Sequence, residues 1–130
     1  MSRFCLDTSA YSRFRKGEAE VGAILDAAEW VGMPAITLGE LRAGFAQGRR
    51  REDNESLLRE FLSHPVVVEL SVDSEVSRNY AEIVFDLRRA GTPLPANDIW
   101  IAAVAARHAA LVLTHDAHFR EIARVGCVVL

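Results

Sequence analysis

The 130-residue chain has almost no lysine: Lys16 stands alone beside fourteen arginines. With 18 acidic against 15 basic residues the net charge is -3, so no global basic character draws the protein to nucleic acid, and any contact with a polyanion must be local. Cysteine is scarce as well. Cys5 and Cys127 each sit in a short apolar run near a chain end, where a free thiol behaves as a small hydrophobe, and this argues against a disulfide framework. Long apolar runs are missing too, since the longest, around Ile99 to Ala106, falls far short of the roughly 20 residues that span a bilayer. No basic N-terminal stretch leads into an apolar segment of the secretory kind. Repeats, linkers and low-complexity segments are absent. What remains is the composition expected of a cytoplasmic, soluble protein without a membrane partner, and its 50% apolar content suffices for one compact core.

The apolar spacing predicts strands alternating with helices from end to end. Phe4 to Leu6 reads as a first strand, stopped by Asp7-Thr8-Ser9, with Ser9 the expected cap of a short helix to Lys16-Gly17. Val21, Ile24, Leu25 and Ala28 recur at helical spacing, and Val31 to Ile36 reads as a short strand interrupted by Pro34. Thr37, three residues before Glu40, has the capping-box pattern for a helix to Gln47-Gly48. A further helix carries Leu57, Leu58, Phe61 and Leu62 and stops at Pro65. Val66 to Val68 with Leu70 then forms a strand, and Asp73 or Ser74 opens a long amphipathic helix to Gly91. After the loop Thr92 to Pro95, the segment Asp98 to His108 is apolar nearly all round, the mark of a buried helix. Ala110 to Leu113 reads as a strand, Ala117 to Arg124 as a helix and Cys127 to Leu130 as a last strand. Such alternation predicts an α/β fold with a mainly parallel sheet.

Sites in such sheets form beyond the carboxyl ends of the strands. Acids stand there in this chain: Asp7 after the first strand, Glu40 in the helix after the second, Asp98 at the start of the buried helix and Asp116 after the strand at 110–113. Each alone reads as a helix cap or as an acid favoured by a helix dipole. Four converging carboxylates would instead repel one another, and a divalent cation would remove that cost. All-oxygen ligation favours Mg²⁺ or Mn²⁺, as one ion with ordered waters or as two ions clamping a phosphodiester.

Four pieces carry a resemblance when read in order: Phe4-Cys5-Leu6-Asp7-Thr8-Ser9, Glu40-Leu41-Arg42-Ala43-Gly44, Asn97-Asp98-Ile99-Trp100-Ile101-Ala102-Ala103, and Leu113-Thr114-His115-Asp116-Ala117-His118-Phe119. Together they resemble the PIN-domain ribonucleases, and within them the VapC-type toxins of bacterial toxin–antitoxin pairs. The resemblance implies a three-layer α/β/α sandwich and a single nuclease domain over residues 1–130. It implies Mg²⁺- or Mn²⁺-dependent cleavage of single-stranded or loop RNA, with tRNA and ribosomal RNA the usual targets. A homodimer, a higher toxin–antitoxin assembly and a small VapB-like antitoxin that blocks the site are implied with it. Asp7, Glu40, Asp98 and Asp116 match the family's metal-binding and catalytic acids, with Asp98 or Asp116 expected to orient or deprotonate the attacking water. Ser9 matches the family's small polar residue two after the first acid. His115 departs from the Asn common before the last acid. Thr8, Ser9, Arg42, Asn97, Thr114 and His115 are thereby placed around the acids, toward the RNA or the waters of the ion.

Other readings compete. His115 and His118 flank Asp116 and could imitate a zinc site, but no cysteine or third histidine lies near them, so His118 reads as a solvated residue at a helix start. Arg42 could meet the RNA backbone or an antitoxin carboxylate, and Arg49 to Arg51 are balanced by Glu52, Asp53 and Glu55. Phe14, Leu25, Trp30, Leu41 and Phe45 read as core, with some facing a partner groove or a dimer. Phosphoryl transfer through an aspartyl-phosphate is disfavoured: a dehalogenase-type site wants a second Asp where Ser9 stands, and a receiver-type site wants a late Lys. The remaining alternative is a non-catalytic α/β module for RNA or protein interaction, its acids merely capping helices.

Overall fold

Short β-branched runs separated by amphipathic helices leave each strand to pair with a neighbour reached by a crossover, and a parallel sheet follows. The computed structural model describes residues 2–130. Its elements are β1 (Arg3–Leu6), α1 (Thr8–Arg15), α2 (Ala19–Ala27), β2 (Trp30–Pro34), α3 (Ala35–Gln47), α4 (Arg51–Leu62), β3 (Val67–Leu70), α5 (Ser74–Ala90), α6 (Ala96–Arg107), β4 (Leu111–Thr114) and β5 (Cys127–Val129), with a 3₁₀ turn at Ala117–Glu121. The five strands run parallel in the order β3-β2-β1-β4-β5. Successive strands grow outward from β1 to β3, and the chain then returns to the other side of β1 as β4. A crevice is thereby opened between the ends of β1 and β4, the kind of place where α/β sheets bind ligands.

The alternation of side chains along the strands divides the interior into two layers. Cys5 and Val112 face α5 and α6, packing with Val76, Ile83, Leu87 and Ile101. Phe4, Leu6, Val31, Met33 and Leu113 face α1 to α4, packing with Tyr11, Val21, Leu41 and Leu58. Helices therefore cover both faces, and the expected three-layer α/β/α sandwich is what forms. On α6, residues Ile101 to Ala105 are all fully buried, as its unbroken apolar sequence requires. Gly91 ends α5 in the left-handed region at φ 70°, where a Cβ would be strained. Burial pushes the Cys5 thiol up to about 12, and both cysteines are free. No helix among the described residues is long and apolar enough to cross a membrane.

Four local expectations give way to different geometry. Asp7, rather than Ser9, caps α1, its side chain accepting from the Ala10 amide. No capping box joins Thr37 and Glu40, because α3 begins at Ala35 directly after the extended Pro34, without a side-chain cap, and Thr37 already lies inside the first turn. Thr37 is buried and donates to the Leu6 carbonyl at 2.8 Å, and Glu40 is left free for other work in the second turn. α6 likewise starts after Pro95, placing Asp98 in its first turn but not at its opening residue. The helix expected over Ala117 to Arg124 is only a five-residue 3₁₀ turn, too short to bury a face of its own.

Candidate functional site

Strand ends and helix starts bring the four acids to one rim of the sheet, and short polar side chains hold two of them in place. Asp7 follows β1 and is buried. Its Oδ1 accepts from the Ala10 amide at 2.9 Å and from Ser9 Oγ at 2.7 Å, and its Oδ2 accepts from Thr114 Oγ1 at 2.5 Å. Such a carboxylate has its lone pairs committed on three sides, which fixes its orientation. The same hydroxyls tie down the loop after β4: Thr114 Oγ1 accepts from the Asp116 amide at 2.9 Å, and Ser9 Oγ accepts from the His115 amide at 2.9 Å. Ser9, Thr8 and Thr114 are therefore brought to the acids as the sequence suggested, while His115 contributes its backbone and leaves its ring exposed.

Glu40 is held from both sides. Thr8 Oγ1 donates to Oε1 at 2.7 Å from α1, and Asn97 Nδ2 donates to Oε2 at 3.2 Å from α6. A three-element clamp of this kind keeps a long, rotamer-rich side chain at the rim. Arg42, in contrast, pairs with Glu55 on α4 at 2.8 Å and meets none of the four acids.

Asp98, Asp116 and His118 form the other half of the site. His118 Nε2 lies 2.6 Å from Asp116 Oδ2 and 3.2 Å from Asp98 Oδ2, and its backbone amide donates to Asp116 Oδ1 at 3.1 Å. One donor atom from each of the three side chains lies within 4.8 Å of the others. This histidine, which the sequence alone reads as a solvated residue at a helix start, is instead brought to two of the acids. The available signal was its position two after an acid that itself follows a strand end, where a 3₁₀ turn folds the side chain back onto that acid.

Burial pushes the Asp98 carboxyl up from the usual carboxylate range. His118 opposes that shift, and the neighbouring charges of Asp116 and Asp7 add to it. Because the folded value lies above the unfolded one, the folded chain holds this proton more tightly. Its contribution to stability is full below the unfolded value and is lost as pH rises through the folded one. In the absence of divalent ions, Asp98→Asn is therefore expected to raise the thermal midpoint at neutral pH and to flatten its fall over that window. Thermal denaturation at a series of pH values checks this; a lower midpoint for the variant at neutral pH would contradict it.

The donor set suits a divalent cation. It is rich in carboxylate oxygen, it gathers a ligand atom from each of three side chains within 4.8 Å, and among the described residues no arginine or lysine pairs with its acids. A site at an open rim can admit a long polymer, and the phosphodiester of such a polymer needs charge neutralisation and an activated water of the kind a metal centre supplies.

Comparison with known proteins agrees with this geometry. The family description "PIN domain" matches residues 4–125. Over 102 residues the chain is 34% identical to Ribonuclease VapC4 of Mycobacterium tuberculosis, an alignment covering 78% of each protein. Its fold superposes on a chain of VapBC2 from Rickettsia felis, solved bound to a promoter DNA fragment, with a TM-score of 0.88, 22% identity and 98% of both chains covered. A chain of VapBC-5 from Mycobacterium tuberculosis, a member of the VapBC family of toxin–antitoxin systems, matches with a TM-score of 0.77 and 29% identity over all of both chains.

Proposed function

The chain belongs to the PIN-domain family, among relatives that are VapC ribonucleases, and from that premise we propose a metal-dependent endoribonuclease toxin restrained by a cognate antitoxin. The observation that carries this reading is the convergence of Asp7, Glu40, Asp98 and Asp116 at the crevice between β1 and β4, two of them clamped by hydrogen bonds from other elements.

Asp7, Asp98 and Asp116 would hold Mg²⁺ or Mn²⁺, with Glu40 completing the acidic rim. Once bound, the ion would lower the pKa of a water and neutralise charge on the scissile phosphate. Asp98 Oδ1 has no hydrogen-bond partner among the described residues, whereas His118 occupies both oxygens of Asp116. In this reading Asp98 would take the proton as the water oxygen bonds to phosphorus and the opposite phosphorus–oxygen ester bond breaks, the leaving oxygen gaining a proton from solvent. Glu40, fixed by Thr8 and Asn97, orients the water or the ribose beside it.

The antitoxin would dock in a groove away from the acids. A cavity of about 430 Å³ opens between α1, α3 and α4, with Leu41, Phe45 and Leu57 in its floor and Arg15, Lys16 and Arg50 at its edge. Leu57 is 38% exposed. An amphipathic antitoxin segment with an apolar ridge and flanking acids complements that pattern. The toxin would act as a homodimer and cut tRNA or ribosomal RNA as one domain.

Purified protein mixed with structured RNA should cut it in Mg²⁺ or Mn²⁺ and stop on chelation. Cleavage that persists without divalent ions would overturn the reading, and binding without cleavage of any RNA would favour the non-catalytic module. Phe45→Glu sets a charge into the apolar floor, and the antitoxin concentration that halves cleavage should then rise at least about tenfold, roughly 1.4 kcal/mol of binding. An unchanged inhibition curve would move the antitoxin to another surface.

A further inference from the structure

His118 is not needed to hold the turn it sits in, since Asp116 Oδ1 already takes the His118 backbone amide and Phe119 is buried beside it. Its ring is nevertheless only partly exposed, at 39% of the side chain. Nε2 is aimed between two carboxylates carried by separate elements, 2.6 Å from the oxygen of Asp116 and 3.2 Å from that of Asp98. Ligands held about 2.1 Å from one ion lie roughly 3.0–4.2 Å from one another, according to the angle between them. The 3.2 Å contact to Asp98 falls in that range, whereas the 2.6 Å contact to Asp116 is a hydrogen bond that must open by about 0.4 Å, with Nε2 free of its proton, as an ion enters.

We infer that His118 Nε2 is a direct ligand of the metal and gives this site one nitrogen beside its carboxylates, so that it favours a first-row transition ion such as Mn²⁺ over Mg²⁺. The inference rests on the metal-dependent reading above. The chemical reason is the donor type. Mg²⁺ gives up water reluctantly and takes oxygen ligands, whereas an imidazole nitrogen adds affinity for transition ions. The turn supplies the second reason. Phe119, 2% exposed, anchors the chain directly after His118 and leaves the ring little freedom to swing away from Asp116.

Mn²⁺ and Mg²⁺ binding to the full chain can be measured by calorimetry, and pulsed electron paramagnetic resonance of the Mn²⁺ form reads directly whether a nitrogen nucleus is coupled to the ion. The wild type is expected to show that coupling and to bind Mn²⁺ more tightly than Mg²⁺. His118→Ala should lose the coupling and weaken Mn²⁺ about 10- to 100-fold, with Mg²⁺ changed by less than about threefold; His118→Gln should likewise lose the coupling while keeping a polar side chain. No nitrogen coupling in the wild type, or equal Mn²⁺ binding by wild type and His118→Ala, would overturn the inference and leave the metal-dependent reading standing. Tighter Mn²⁺ binding by His118→Ala would also overturn it, since the ring would then obstruct the ion. A wild type that binds neither ion would remove both.

Discussion

Asp7→Asn is expected to fold normally and to cut RNA at least about a thousandfold more slowly than the wild type, a loss of roughly 4 kcal/mol of transition-state stabilisation. Two roles of Asp7 separate in this variant. As the cap of α1 it is replaced by another good cap: an asparagine Oδ1 can still accept from the Ala10 amide and Ser9 Oγ, so the stability change should stay within about 1 kcal/mol. As a charged ligand it has no substitute. The amide nitrogen can only donate, so it cannot bind a cation, and it turns toward Thr114 Oγ1, which now donates to Asp7 and already accepts from the Asp116 amide. Thr114 would have to reverse its role toward residue 7, while its second lone pair still accepts from the Asp116 amide and the loop after β4 stays in place. Values of kcat/KM at saturating Mn²⁺, with a thermal midpoint for each form, test the claim. Cleavage within tenfold of the wild type would remove Asp7 from the metal site, whereas a collapse of stability would make it a structural residue.

The fold and the site were legible in the sequence to different depths. Layer architecture could be read because it depends on the periodicity of many residues: the unbroken apolar run of α6 and the short β-branched strands leave few alternatives. The four acids could be read because strand ends are where such a sheet gathers chemistry, and the structure brings all four to one rim. Caps were harder. Thr37 and Glu40 satisfy a local pattern, yet tertiary demands claim both: the Leu6 carbonyl takes the buried hydroxyl, and Thr8 and Asn97 take the carboxylate. Local spacing cannot reveal partners 31 to 57 residues away. The placement of His118 failed for a related reason. The helix expected from Ala117 reads His118 as solvated, whereas the 3₁₀ turn that forms brings its ring to 2.6 Å from Asp116 and anchors Phe119 in the core.

That anchoring makes Phe119→Ala the substitution with the largest expected cost to stability, about 3–5 kcal/mol and a thermal midpoint lower by roughly 10–20 °C. Phe119 packs at 2% exposure in the same cluster as Ile101, Val112 and Ile122, so truncation leaves a cavity beneath the turn that rigid neighbours cannot fill. The turn has little else to hold it. Its internal backbone bonds, Phe119 N to Asp116 O at 3.4 Å and Ile122 N to Phe119 O at 3.1 Å, are those of a short 3₁₀ segment with poor intrinsic stability. Asp116 is held by the Thr114 hydroxyl, whereas His118 beyond it keeps its position chiefly because the Phe119 ring between the turn and the core is buried. Loss of packing should be felt as loss of chemistry: Mn²⁺ affinity should fall even under conditions where the variant remains folded, and Phe119→Leu, which refills part of the volume, should recover part of both stability and binding. A midpoint lowered by less than about 3 °C, or weakened stability with Mn²⁺ binding intact, would show that the acid and its histidine are positioned from β4 and α1 alone, through Thr114 and Ser9.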